Sequence, residues 1–162
     1  HCSVRRQRQM CIRDRAFVNL NKAVMDNAGS ITSEFKRIIA YISSNTAGCR
    51  YCQAHTIRAA ERYGGKKERL EEAWDFENSS FFSEAEKVAL RFTVAASSVP
   101  ISTSKELEKS LNIHWDETDI LEIMSVIALF GYLFSDVCEG TFTGIGVVFG
   151  HQCLLRGCRK DP

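Results

Sequence analysis

The chain has 162 residues, 44% of them hydrophobic and 25% charged, the make-up of one ordinary globular domain rather than of a disordered segment. Twenty-one basic and twenty acidic side chains leave a formal charge of +1, so there is no field to attract nucleic acid or an anionic membrane surface. No apolar run reaches the ~20 residues needed to cross a bilayer, no secretory leader pattern opens the chain, and a cytoplasmic location is expected.

Residues 1–15 carry five Arg against one Asp and no apolar periodicity, so they are read as an extension foreign to the domain. The domain proper is expected over residues 16–136. Ala16 to Asn27 forms a first amphipathic segment closed by Gly29. Thr32 or Ser33 then starts a helix in which Phe35, Ile38, Ile39 and Ile42 share one face by the i, i+3, i+4, i+7 rule, and this face is core. Asn45 to Gly48 breaks that helix. Cys49 opens the next, which stops at Gly64 and Gly65.

Lys66 to Phe76 reads as a charged surface helix that turns only Leu70, Ala73 and Trp74 inward. Ser83 and Glu86 have the spacing of a capping box ahead of a helix to about Ser97, and Pro100 ends that stretch. Ser104 to Leu111 makes a short helix. Asp116 and Asp119 then cap a segment from Ile120 to Phe134 whose apolar residues cover more than one face, which places it inside the domain or an oligomer. From residue 137 to 162 the text changes to a Gly-rich stretch and a basic, cysteine-bearing end, read as an atypical tail that is disordered or foreign. Nothing before Thr141 alternates with period two, so the fold class is all-α.

Seven cysteines at 2, 11, 49, 52, 138, 153 and 158 are odd in number and irregular in spacing, which argues against a secreted disulfide framework. Two of them carry the chemistry. Residues 48 to 55 read Gly-Cys-Arg-Tyr-Cys-Gln-Ala-His, so Cys49 and Cys52 fall one turn apart at a helix start, near enough to join as a disulfide. His55 lies a further turn along. The helix dipole and the imidazole both favour thiolate over thiol, which makes the sulfur nucleophilic. Glu34, on the preceding helix, is the better of two carboxylates that could complete a proton path; Glu61 is the other.

The helix from Glu34 leading into GCRYCQAHT, followed by FSEAEKVALRFTVAAS and DETDILEIMSVIALFGYLF, resembles the alkylhydroperoxidase D-like branch of the carboxymuconolactone decarboxylase superfamily over roughly residues 17 to 134. The resemblance implies an alkylhydroperoxidase D-like helical bundle assembling into homo-trimers or hexamers. It also implies a thiol peroxidase that reduces small alkyl hydroperoxides with no metal or flavin cofactor. Cys52 matches the attacking cysteine and Cys49 the resolving one, the disulfide being re-reduced by a dithiol donor, in family members often a lipoylated protein. The chain departs from the family pattern at two relay positions: the His expected four residues after the second Cys is replaced by Thr56, with His55 beside it, and the relay Glu by Arg37. Glu34 and Arg37 are three apart on one helix, which leaves room for a shifted relay.

Two alternatives stay open. A zinc module could draw on Cys49, Cys52, His55 and a distant ligand such as His151 or Cys153. A non-catalytic oligomeric scaffold or redox sensor would keep the cysteine pair without turnover.

Overall fold

The computed structural model describes residues 2–138, with side chains described from 12 to 133. The described residues form seven helices and no strand: α1 (Cys2–Val24), α2 (Ser33–Thr46), α3 (Arg50–Arg62), α4 (Lys67–Glu71), α5 (Glu84–Ser97), α6 (Lys105–His114) and α7 (Glu117–Cys138). The all-α expectation holds. α2 is the central helix and packs on α3, α5 and α7; α6 leans on α5, and α1 on α7.

The capping chemistry anticipated from sequence sets the helix starts. Thr32 accepts from the backbone N–H of Phe35, Ser104 from that of Leu107, and Ser83 exchanges hydrogen bonds with Glu86 in a capping box. Asp116 and Asp119 bond each other's backbone N–H at the entrance to α7. α1 differs from the expectation, since it begins at Cys2 rather than at Ala16. Of the tail expected over 137–162, residues 137 and 138 continue α7 and 139–162 lie outside the described residues.

Phe35, Ile38, Ile39 and Ile42 are buried as the periodicity demands, and they meet Leu90 of α5 and Ile123, Val126 and Leu133 of α7 in the core. At about 1.5–3 kcal/mol for each such side chain, this face of α2 contributes substantially to hydrophobic stability. Trp115 closes the core laterally, stacked on Phe35 with its indole N–H donated to the Ala85 carbonyl. The segment after α4 corrects the sequence reading. The helix ends at Glu71 and the chain turns, so Leu70 and Ala73 are buried as expected, but Trp74 is exposed and Phe76 takes the inward place.

α7 has two apolar sides. Ile123, Val126, Leu129, Phe130 and Leu133 face the core, while Leu121, Met124 and Tyr132 stand exposed on the other. No helix among the described residues is long and apolar enough to cross a membrane.

Lys36 is the least expected element of the interior. Its side chain is 1% exposed, and its Nζ donates to the carbonyls of Val24 (3.0 Å) and Asp26 (2.5 Å) and to Glu122 Oε1 at 2.7 Å. One ammonium thereby ties the α1–α2 connection to α2 and α7.

Candidate active site

Gly48 determines how the chain enters the site. Its φ of +75° is in the left-handed region that only glycine adopts cheaply, and this turn, together with the bond from Cys49 N–H to the Ser44 carbonyl, swings the chain from α2 into α3. Cys49 is the N-cap of α3, and its sulfur accepts from the Cys52 backbone N–H at 3.4 Å. The two sulfurs are 2.7 Å apart and the cysteines are not joined by a disulfide. Both are buried, at 1% and 5% exposure. Gln53 reaches back from the first turn to the Ser44 carbonyl at 3.5 Å, a second tie between the two helices.

His55 sits one turn beyond Cys52, half-buried, with its ring stacked on Tyr51 at a centroid distance of 6.1 Å. Desolvation holds its imidazole below the usual histidine value, and the positive charge of Arg62 pushes the same way. A neutral imidazole that can accept a proton is thus the form favoured near neutrality. The i, i+4 spacing of Tyr51 to His55 is the sequence signal for this stack.

The two relay departures now have structural places. Thr56, in place of the family's His, is buried and returns its hydroxyl to the Cys52 carbonyl at 2.8 Å. Arg37, in place of the relay Glu, donates to the Ser33 carbonyl at 2.7 Å and lies over the Tyr63 ring, 3.4 Å from its centroid. Burial lowers the Arg37 guanidinium from its ordinary value, and Tyr63 opposes this.

Glu34 stands on the first turn of α2, whereas the thiols follow its last. Twelve residues at ~1.5 Å each separate Glu34 from Thr46, about 18 Å of helix. Its carboxylate lies 3.0 Å from Arg69 Nε, and Arg69 also binds Glu86 at 2.5 Å. The structure therefore brings Cys49, Cys52 and His55 onto one helix and places Glu34 in an ion cluster that joins α2, α4 and α5. Among the described residues no three His, Cys, Asp or Glu side chains are placed to hold a metal ion; His151 and Cys153 of the zinc alternative lie outside those residues.

Residues 14–95 match the carboxymuconolactone decarboxylase family. Among curated proteins the chain is similar to the uncharacterized protein YnjA of Escherichia coli (strain K12), with 33% identity over 82 residues, 50% of this chain and 44% of YnjA. It thus spans less than half the length of that relative. Among solved structures it is similar to the debrominase Bmp8, at 33% identity and TM-score 0.73, over 81% of this chain and 70% of Bmp8. A cysteine-to-alanine variant of Bmp8 has been solved in complex with 2,3,4-tribromopyrrole. An uncharacterized peroxidase-related protein from Silicibacter sp. TM1040 shares the fold, with TM-score 0.68 and 19% identity over 78% of this chain and 66% of that one.

Proposed function

Because this chain belongs to the carboxymuconolactone decarboxylase family, we propose that it is a thiol-dependent peroxidase of the alkylhydroperoxidase D-like branch, reducing small alkyl hydroperoxides through a Cys49/Cys52 dithiol–disulfide cycle. The observation that carries this reading is the 2.7 Å separation of the two sulfurs at the start of α3. Negative charge developing there meets the N–H groups of a first helical turn. His55, neutral by burial, takes the thiol proton.

The Cys52 thiolate attacks the terminal oxygen of the hydroperoxide, the O–O bond breaks, and the alkoxide leaves as the alcohol after taking a proton. Cys52 is then a sulfenic acid. The Cys49 thiol displaces its hydroxyl as water and closes the disulfide, which protects Cys52 from further oxidation. An external dithiol returns the pair to thiols. The apolar outer side of α7, with Leu121, Met124 and Tyr132, supplies a surface on which a homo-oligomer would close.

A second reading rests on the likeness to a debrominase: the same pair could reduce a carbon–bromine bond to carbon–hydrogen, bromide leaving and the disulfide forming. Single-turnover thiol assays with an organic hydroperoxide and with 2,3,4-tribromopyrrole separate the two. The hydroperoxide is expected to consume two thiols at residues 49 and 52, and Cys52→Ser to abolish turnover with a dithiol donor. Turnover retained in Cys52→Ser removes the reading. Disulfide formation with no turnover makes the chain a redox sensor instead.

A further inference from the structure

The arginines of α3 differ from the buried or half-buried guanidinium groups of the protein. Arg69 and Arg91 pair with carboxylates, and Arg37 is held by Tyr63 and a carbonyl. Arg50, Arg58 and Arg62 are exposed and make no ion pair among the described residues, although they share a helix with both thiols. Glu61 is that helix's single carboxylate. In a chain whose formal charge is +1 overall, three Arg against one Glu on this helix make a local concentration of positive charge.

The positive charge is also ordered. Tyr51, His55, Arg58 and Arg62 follow i, i+4, i+7, i+11, so they form one stripe, with Tyr51 44% exposed at the thiol end. From Tyr51 to Arg62 the stripe runs about 16 Å along the helix. A small electrophile needs one guanidinium at most, and a run of this length suits a macromolecular surface. Exposed arginines meet a partner's carboxylates without a deep desolvation cost, and they act mainly on encounter rate and on the choice of partner.

We propose that the Tyr51–Arg58–Arg62 face of α3 docks an acidic surface of the protein dithiol that re-reduces the Cys49–Cys52 disulfide, an assignment that rests on the dithiol–disulfide reading above. One partner thiolate attacks a sulfur of the disulfide, the S–S bond breaks and a mixed disulfide forms. The partner's second thiolate displaces the chain's cysteine. Two electrons and two protons pass to Cys49 and Cys52, and the partner departs as a disulfide.

The test uses the full chain, oxidised with diamide so that the physiological oxidant does not matter. The reductants are two synthetic peptides with the same Cys-x-x-Cys core, one flanked by four Asp and the other by four Lys. The acidic peptide is expected to reduce the protein at least about tenfold faster at ~0.01 M ionic strength, the advantage fading by ~1 M. R58E/R62E should reverse the preference and R58Q/R62Q should erase it, each peptide rate being taken relative to the same variant's reduction by dithiothreitol because Arg62 also acts on His55. Equal rates for the two peptides on wild type, or a preference that survives both variants, overturns the proposal. So does a shift in oligomeric state in R58Q/R62Q, which would make the face a contact between copies. Failure of diamide to form the disulfide at all sinks the dithiol reading itself.

Discussion

Replacing Lys36 with methionine keeps the length of the side chain and removes the ammonium. What remains is a Glu122 carboxylate facing an apolar group and two carbonyls, of Val24 and Asp26, that lose their donor. Breaking a buried pair from one side costs about 3–5 kcal/mol, since the surviving charge keeps its desolvation penalty and loses its partner. The Lys36 side chain is almost fully buried but that of Glu122 is 20% exposed, so water relieves part of the loss and the lower end, about 3 kcal/mol, is expected. At roughly 2–4 °C per kcal/mol for a chain of this size, K36M should melt about 6–12 °C lower. K36M/E122Q, which removes the orphaned charge, should recover about half of that. Urea unfolding followed by far-UV circular dichroism reads both. A loss below about 1 kcal/mol, or a double variant no better than the single one, would refute the view of Lys36 as the tie between the α1–α2 connection and α7.

Three further outcomes follow from the site and its supports. His55 is held low by burial and then by Arg62, so on acidification the unfolded chain takes up a proton before the native one does; the stability it contributes is present above the ordinary histidine value of about 6.5 and is lost as pH falls toward the native value. H55Q should flatten that acid-side loss in pH-dependent denaturation, and in wild type the imidazole should titrate by NMR below a free histidine. G48A meets open space, so its whole effect is backbone strain: a cost of about 1–2 kcal/mol and slower closure of the 49–52 disulfide, read by denaturation and thiol trapping. S83A removes one half of the capping box and should cost about 1 kcal/mol by urea denaturation, with the thiol chemistry unchanged.

The parts of this fold governed by near neighbours were legible in the sequence. Helix starts at Thr32, Cys49, Ser83 and Ser104 depend on bonds to residues two or three ahead, and the core face of α2 depends on periodicity alone. The thiol pair was legible for the same reason. What escaped was set by distant contacts. Arg69 pairs Glu34 with Glu86 across 52 positions of sequence, so nothing local marks Glu34 as taken. The burial of Lys36 is decided by Glu122, 86 residues away. Trp74 was expected inside because the helical pattern was extended past Glu71, where the chain turns and Phe76 fills the place instead. Arg62's influence on His55 could have been noticed, since seven residues return a helix to nearly the same face.

The most direct test uses trypsin, which cuts after Arg37, Arg50 and Arg58 and so separates Cys49 from Cys52. After one equivalent of an organic hydroperoxide and rapid alkylation, the account predicts peptides 38–50 and 51–58 recovered as a single disulfide-linked species in mass spectrometry. Recovery of the two as separate alkylated peptides, or of Cys52 bonded to another cysteine, would contradict it.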